Sequence, residues 1–276
     1  MRNIAIDIVT SYYELPLQNL LKMLNDENKH IRKLALDTLF NTRNPMMASF
    51  IMESLINETD MNNKITAVEY LGKLNAKRYA DDIANLLDTE TNEFFIVTVL
   101  EALNYIGNEY SYKKVAEKFG DIENVNIIIL KPLIKFCAKF INKDMIYKLR
   151  KIKKHYKFLS KEIIFTLNSA FQNLSEDEIL EVEKDIYDIL IELLNLRLSN
   201  EVFYDALNLL SLFDNEEVET IAKRFLYEKE DIVRYRAAEI LLERDRKKYI
   251  KDVENSLNYE KDRMIRERLR ELIKGE

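Results

Sequence analysis

The sequence predicts an all-α fold, an α-solenoid of about eight helical hairpins, and three observations lead to it. Residues that break helices are scarce, with 4 Gly and 3 Pro in 276 residues, whereas ordinary domains carry about 7% Gly and 5% Pro. Apolar residues make up 47% of the chain, enough to bury a large core. A helical pattern also recurs at intervals of 32 residues. Such a repeat is typical of helices that stack in an array.

The repeat has the frame Arg-x-x-Ala-x-x-x-Leu, seen first at Arg32, Ala35 and Leu39. It recurs with variations at 64–71, 96–103, 234–241 and 266–273. Apolar residues three and four positions apart form one face of a helix. The small alanine allows the paired helix to approach closely. Each framed segment is therefore predicted to be the second helix of a hairpin.

An amphipathic first helix is predicted before each second helix. These first helices are expected at 16–24, 45–57, 77–88, 110–119, 143–156, 176–197, 215–228 and 246–258. The central second helices, at 128–140, 162–174 and 202–213, keep the apolar spacing but lack the frame. Pro132 is expected to kink or split the first of them, because proline has no amide N–H and clashes with the preceding turn.

A single hairpin cannot bury its apolar face alone, so stacked neighbours must supply one continuous core. The sequence thus predicts a single solenoid domain over 1–276. Its repeats are divergent at about 120–213, and a capping hairpin is expected at 246–274. Residues 1–9 match 31–39, with Arg2 and Ala5 in the places of Arg32 and Ala35. We therefore expect the array to start in the middle of a repeat, with an upstream repeat or a packing partner against this helix.

The segments 26–39, 230–242 and 261–273 resemble the second helices of HEAT repeats, particularly the phycobilisome-lyase-like subgroup. That pattern is an Asp, a few residues, and Val/Ile-Arg-x-x-Ala-x-x-x-Leu. The resemblance covers nearly the whole chain, with five or six units that match well, and it implies a HEAT-like superhelix. It also implies protein–protein scaffolding most often, and in a minority of members a lyase, peptide-binding or nucleic-acid-binding role. Tetratricopeptide repeats have a period of about 34 and a Trp-containing pattern that this chain lacks.

Basic residues are concentrated in one stretch: residues 131–161 hold 11 Lys or Arg and a single acidic residue, Asp144. The basic helix at 143–157 is a candidate for binding nucleic acid or another polyanion, through Lys148, Lys151 and Lys154. An acidic stripe follows at 176–192, on the first helix of the next hairpin. Adjacent first helices lie side by side in a solenoid, so the two stripes are alternatively expected to pair with each other. A protein-docking patch is a further alternative.

No constellation of residues for chemistry is apparent. His30 and His155 are far apart and have no metal-ligand spacing around them. Cys137 lies in an apolar helix, where a cysteine usually serves as a small buried residue. No glycine-rich phosphate loop or nucleophile elbow occurs. We therefore predict no catalytic residues, no metal and no cofactor. A helical-repeat enzyme of the DNA-glycosylase or lyase kind is the third alternative. The glycosylases of this architecture use aromatic residues, including Trp, around a catalytic Asp, and this chain has no Trp.

The leading prediction is a non-enzymatic scaffold that binds another protein along the solenoid surface. The outward positions of the second helices include Tyr105, Tyr204, Arg234 and Arg236, and these residue types are enriched in binding hot spots. A single cysteine and no apparent leader or membrane-spanning segment predict a cytoplasmic location without a membrane partner.

Overall fold

The computed structural model describes residues 17–196 and 198–275, and these residues form helices and turns without any strand. The all-α prediction is confirmed. The chain divides into two compact units, the first ending at Phe140 and the second beginning at Ile141. The single-domain division over 1–276 stays a prediction. The half-hairpin expected at residues 1–9 lies outside the described residues.

The first unit is built from hairpins. Its described helices are α1 (Leu17–Leu24), α2 (Lys29–Asn41), α3 (Ala48–Asn57), α4 (Met61–Lys73), α5 (Ala80–Asn85), α6 (Glu93–Ile106), α7 (Glu109–Lys118) and α8 (Ile127–Cys137). Each odd-numbered helix packs against the even-numbered helix that follows it. The even-numbered helices also pack against one another in order, α2 on α4, α4 on α6 and α6 on α8. This row of second helices forms one side of the unit.

The second unit follows the same pattern. Its described helices are α9 (Lys143–Lys151), α10 (Tyr156–Asn173), α11 (Glu176–Leu194), α12 (Asn200–Leu210), α13 (Glu216–Phe225), α14 (Asp231–Leu257) and α15 (Arg263–Lys274). Helix α14 is interrupted by the extended backbone of Asp245, with φ −151° and ψ 92°. It therefore combines the second helix of one hairpin with the first helix of the next. The second helices again form a row, in which α10 packs on α12 and α12 on α14.

Two glycines of the frame allow close packing in the first unit. A methyl group at Gly72 would lie 2.8 Å from the Cα atom of Ala102, so the backbones of α4 and α6 are nearly in contact there. At Gly107 it would lie 2.5 Å from the ring of Phe136. Small residues in the repeat thus set the spacing of the second helices.

Helix α8 runs without interruption through Pro132, so of the two effects expected of this proline, a kink or a split, the split is wrong and the kink stays a prediction. The amide hydrogen bond that Pro132 lacks would have gone to the carbonyl of Ile128, in the first turn of α8. Ile128 is itself exposed, and water can therefore reach the end of the helix where the bond is missing.

The frame arginine Arg32 joins its hairpin to the following one. The guanidinium of Arg32 donates through Nη2 to Glu58, 2.6 Å away, and through Nε to both carboxylate oxygens at 3.0 and 3.2 Å. Its Nη1 donates to the carbonyl oxygens of Asp26 and Glu27 in the turn before α2. Glu58 accepts in addition from the amide of Asp60, the N-cap of α4. One ion pair therefore fixes the turn of its own hairpin and the turn of the following one.

A second ion pair has the same geometry, and its two partners are again 26 residues apart in the sequence. Arg234 donates to Glu260 at 2.5 and 2.8 Å, and to the carbonyl oxygens of Glu228 and Lys229. The side chains of both Glu58 and Glu260 are only 1% exposed. A looser pair, Lys64 with Glu90 at 3.5 Å, occupies the equivalent place between them in the repeat. The frame residue thus joins hairpins at these three places as well as forming part of a helix.

The arginine in each of these ion pairs, or clamps, keeps the buried glutamate carboxylate ionised. Burial alone would raise the pKa of Glu58, but hydrogen bonds from Arg32, from the amides of Asp60 and Thr59 and from Asn63 outweigh it and lower the pKa from 4.5 to about 2. Burial opposes the shift of Glu260 in the same way, and its hydrogen bonds from Arg234 and from backbone amides lower its pKa too.

The pKa of Glu58 predicts how its contribution to stability depends on pH. Because the folded-state pKa lies below the unfolded value, the contribution is complete above about pH 4.5 and is lost as the pH falls towards 2. We expect Glu58→Gln to lower the free energy of unfolding by on the order of 3 kcal/mol at neutral pH. The difference in the free energy of unfolding between wild type and variant should decrease as the pH falls from about 4.5 towards 2, as measured by urea unfolding over a pH series.

Glu69→Gln is the matched control, because Glu69 makes an ion pair with Lys73 in which both side chains are nearly half exposed. It should cost less than about 0.5 kcal/mol at any pH. The clamp would be contradicted if Glu58→Gln were no more destabilising than this control at neutral pH.

Candidate partner-binding surface

A groove runs along the second-helix side of the first unit, between α6 and α8. The exposed face of α6 carries Glu101 and Tyr105, and the facing side of α8 carries Ile128, Lys131 and Lys135. The groove is lined by Glu69, Lys73, Val97, Thr98, Glu101, Ala102, Asn104, Tyr105, Ile128, Lys131, Pro132 and Lys135. It arises because α4, α6 and α8 lie side by side and their outward side chains differ in length.

Two large apolar side chains stand at this groove without being buried. Tyr105, predicted from the sequence as a partner-binding residue, is 61% exposed, and Ile128 is 41% exposed. Phe94, 72% exposed, lies eleven residues before Tyr105 on the same helix, which is three turns of an α-helix and hence nearly the same face. Apolar side chains that gather at one groove are an unusual feature of a surface, unlike scattered single ones.

Asn104 lies at the floor of the groove, 9% exposed. Its side-chain amide nitrogen donates to the carbonyl oxygens of Leu100 at 3.1 Å and of Pro132 at 3.4 Å, and so ties α6 to α8. Its Oδ1 atom is buried and has no hydrogen-bond partner among residues 17–196 and 198–275. An acceptor left in this state costs roughly 1–3 kcal/mol.

Lysines are concentrated at one end of the groove. Lys135 and Lys139 follow one another at a spacing of four along α8 and the 3₁₀ turn after it, Ala138–Phe140. The ammonium group of Lys139 donates to the carbonyl oxygen of Asn104, near the C-terminal end of α6, where a cation is favoured. Burial, and then the positive charges of Lys135 and Lys77, lower the pKa of Lys139. No carboxylate forms an ion pair with any of these three lysines in the part of the chain that the structure describes.

Acidic residues also line the groove. Glu101 and Glu69 are among them, and Glu69 is 2.5 Å from the ammonium of Lys73, which lines the groove too. The groove therefore combines exposed apolar side chains with charges of both signs.

The remaining predicted partner-binding residues belong to the second unit, so the structure does not join them with Tyr105 in one described site. Tyr204 is half-buried on α12. Arg234 is held in the clamp with Glu260, and its side chain is 16% exposed. Arg236 donates to Glu239 at 3.2 Å, and its side chain is 14% exposed. Their roles in binding a partner stay predictions, and both arginines have internal partners.

The basic helix α9 faces the acidic helix α11 in the second unit. Lys143 lies 2.5 Å from Glu181, and Lys153 pairs with Glu192. Arg150 is hydrogen-bonded to Asp185 and lies 3.1 Å from Asp188. This is the internal pairing considered in the sequence analysis. Because these side chains are largely at the surface, each pair contributes only about 0–1 kcal/mol.

The three lysines proposed for polyanion binding have different surroundings. Lys148 pairs with Asp144, one turn earlier on α9, at 2.8 Å, and its side chain is 20% exposed. Lys151 and Lys154 are both exposed, at the end of α9 and in the 3₁₀ turn Lys153–His155. Acidic residues of α11 pair with Lys143, Arg150 and Lys153 of this basic segment.

Residues considered for chemistry lie apart from one another. Cys137 is buried at the end of α8, and His30 is exposed in the first turn of α2. Over the two described ranges, no three His, Cys, Asp or Glu side chains come together as a metal site would require.

A second concavity lies in the second unit, between the segment after α11 and the end of α13. It is lined by Leu194, Asn195, Leu196, Leu198, Asn200, Phe203, Arg224, Phe225, Glu228, Lys229 and Glu230. Hydrogen bonds cross it, from Arg224 to Asn195 at 3.2 Å and from Asn200 to Glu230 at 2.8 Å. Its polar groups are already joined to each other, which makes it a weaker candidate than the groove of the first unit.

No protein-family model matches the chain, and a search of curated proteins also gives no match. Among the helices of the described ranges, none has both the length and the apolar character needed to cross a bilayer.

Proposed function

We propose that this chain is a HEAT-like α-solenoid of about eight hairpins that acts as a non-enzymatic scaffold, and that its partner is a protein bound in the groove between α6 and α8. The observation that carries the proposal is the pair of exposed apolar side chains, Tyr105 and Ile128, at the sides of one groove.

The solenoid is supported by the order of packing within each unit. Second helices contact the next second helix, and hairpin partners contact each other. The clamps from Arg32 to Glu58 and from Arg234 to Glu260 have the same geometry at the same spacing, one in each unit. Equivalent joints imply equivalent hairpins, as repeat arrays require.

The groove has the composition of a binding site for a peptide segment. Tyrosine supplies a large contact area at little cost in side-chain entropy and is enriched in binding hot spots. The ring of Tyr105 is exposed and therefore available to a partner. Its helix is held in place by the contact of Ala102 with Gly72 and by the hydrogen bond from Asn104 to α8. A partner would therefore meet a preformed surface, which favours affinity.

Replacement of Tyr105 tests the proposal. Peptides would be selected from a random display library on the immobilised full chain and then titrated against the wild type and Tyr105→Ser. We expect the affinity of the selected peptides to fall at least about tenfold, because removal of a hot-spot aromatic costs upwards of 1–2 kcal/mol.

Tyr110→Ser is the matched control, since Tyr110 is a 41% exposed tyrosine on α7, in the row of first helices. It should leave peptide binding unchanged. Peptides that bind equally well to the wild type and to Tyr105→Ser would exclude this groove as the binding surface, and unfolding curves of all three proteins would check that each variant is folded.

The second candidate is a nucleic-acid or polyanion binder that uses the basic helix 143–157. The observation in its favour is the exposure of Lys151 and Lys154 near the exposed Tyr147, because a base can stack on an aromatic ring beside cations. We propose it second, because acidic residues of α11 already pair with three other cations of this segment.

A fluorescence titration with labelled single- and double-stranded oligonucleotides separates the two candidates. The scaffold proposal predicts no binding at physiological salt, and no effect of Lys148→Glu, Lys151→Glu and Lys154→Glu on the selected peptides. Tight binding that survives physiological salt and is lost in the triple variant would favour the second candidate instead.

A further inference from the structure

We propose that the groove between α6 and α8 selects an acidic segment of its partner, a stretch rich in Glu or Asp whose carboxylates contact Lys77, Lys135 and Lys139 while its apolar side chains pack on Tyr105 and Ile128. This inference rests on the proposed function and names the chemistry of the segment that the groove accepts.

The three lysines come from segments that border the groove. Lys135 lines it, and Lys139, four residues later in the 3₁₀ turn after α8, donates to the carbonyl oxygen of Asn104. Lys77 begins the 3₁₀ turn Lys77–Tyr79, which packs against α6, and its charge, after that of Lys135, contributes to the lowered pKa of Lys139. All three side chains are exposed. Three ammonium groups brought together in this way create a positive potential that favours an anion.

The contrast with α9 shows what is unusual about this cluster. On α9 and in the 3₁₀ turn after it, Lys143, Arg150 and Lys153 each pair with a carboxylate of α11. By contrast, neither Lys77 nor Lys135 has an ion pair within 17–196 or 198–275, and the charges of both act on Lys139. Like charges held close together weaken a fold unless something neutralises them. A bound carboxylate would relieve that repulsion, and binding would gain accordingly.

The rest of the groove favours a peptide over a nucleic acid. Glu101 also lines it and would repel a continuous phosphate backbone, whereas a peptide can place an uncharged residue there. Tyr105 and Ile128, on the two facing helices, suit apolar side chains rather than sugars and phosphates. The amide oxygen of Asn104 at the floor lacks a donor, and a backbone N–H is a donor that every peptide brings.

The test is a fluorescence-anisotropy titration of the full chain with two labelled peptides of equal length. One consists of repeated Glu-Leu-Glu-Ala and the other of repeated Lys-Leu-Lys-Ala, and a labelled single-stranded oligonucleotide serves as the polyanion probe. The proteins are the wild type, the double variant Lys77→Gln and Lys135→Gln, and Tyr105→Ser. The control carries Lys22→Gln and Lys113→Gln, which remove two exposed lysines of α1 and α7 and so make the same change in net charge.

We expect the Glu peptide to bind and the Lys peptide not to bind. The double variant should bind the Glu peptide roughly tenfold more weakly, and added salt should reduce that difference because the lysines are exposed. The control should bind like the wild type, and Tyr105→Ser should weaken binding too, since both effects come from one groove. Lys139→Gln is left to a separate measurement, because its ammonium group also holds the end of α6.

Equal binding of the two peptides, no binding of the Glu peptide, or no effect of the double variant would overturn the inference. Binding of the oligonucleotide with the same dependence on Lys77 and Lys135, without binding of the Glu peptide, would overturn it in favour of a polyanion. If library-selected peptides depend on Tyr105 but not on these lysines, the acidic partner is excluded and the scaffold proposal stands. If the selected peptides depend neither on Tyr105 nor on these lysines, both the acidic partner and the proposed binding groove are excluded.

Discussion

The arrangement of the hairpins depends on one interaction, the buried ion pair between a frame arginine and a glutamate 26 residues later. Arg32 with Glu58 and Arg234 with Glu260 place a charge where only its partner and the turn amides can compensate it. Such a pair adds little net stability, because desolvation offsets much of the attraction. It does make alternatives costly, since any other stacking of the hairpins would leave a buried carboxylate unpaired. The clamp thus specifies which turn lies against which helix.

The proposed binding surface follows from that fixed stacking. Once α4, α6 and α8 lie side by side, the outward residues of different repeats form a common groove. Gly72 brings α4 and α6 close together, and Asn104 links α6 to the carbonyl of Pro132 in α8. This leaves Tyr105 61% and Ile128 41% exposed at the groove. The proposed function rests on their exposure.

The helices could be read from the sequence almost throughout, because apolar spacing and N-cap residues are local signals. The first helices expected at 45–57 and 77–88 are present as short 3₁₀ turns followed by α-helices. Pro132 was expected to interrupt its helix, yet α8 continues, since the missing bond falls in an exposed first turn. The frame arginine was recognised as part of the repeat, but Arg234 was assigned to a partner. Its real neighbour, Glu260, is distant in sequence, and only the spacing of 26 shared by the pairs could have indicated it. The sequence indicates Tyr105 as an outward residue of its helix, but not that Lys135 lines the same groove, because the two come from different repeats.

The most direct test of this account is a double-mutant cycle on Arg234 and Glu260, measured by urea unfolding of Arg234→Met, Glu260→Leu and the protein with both changes. Each single change leaves a buried partner without its counter-charge, and should cost on the order of 3–5 kcal/mol. The account predicts that the double variant is no less stable than the worse single variant, with a coupling energy of about 2 kcal/mol or more. Losses that simply add would show that the pair does not act as a unit, and would contradict the claim that it joins consecutive hairpins.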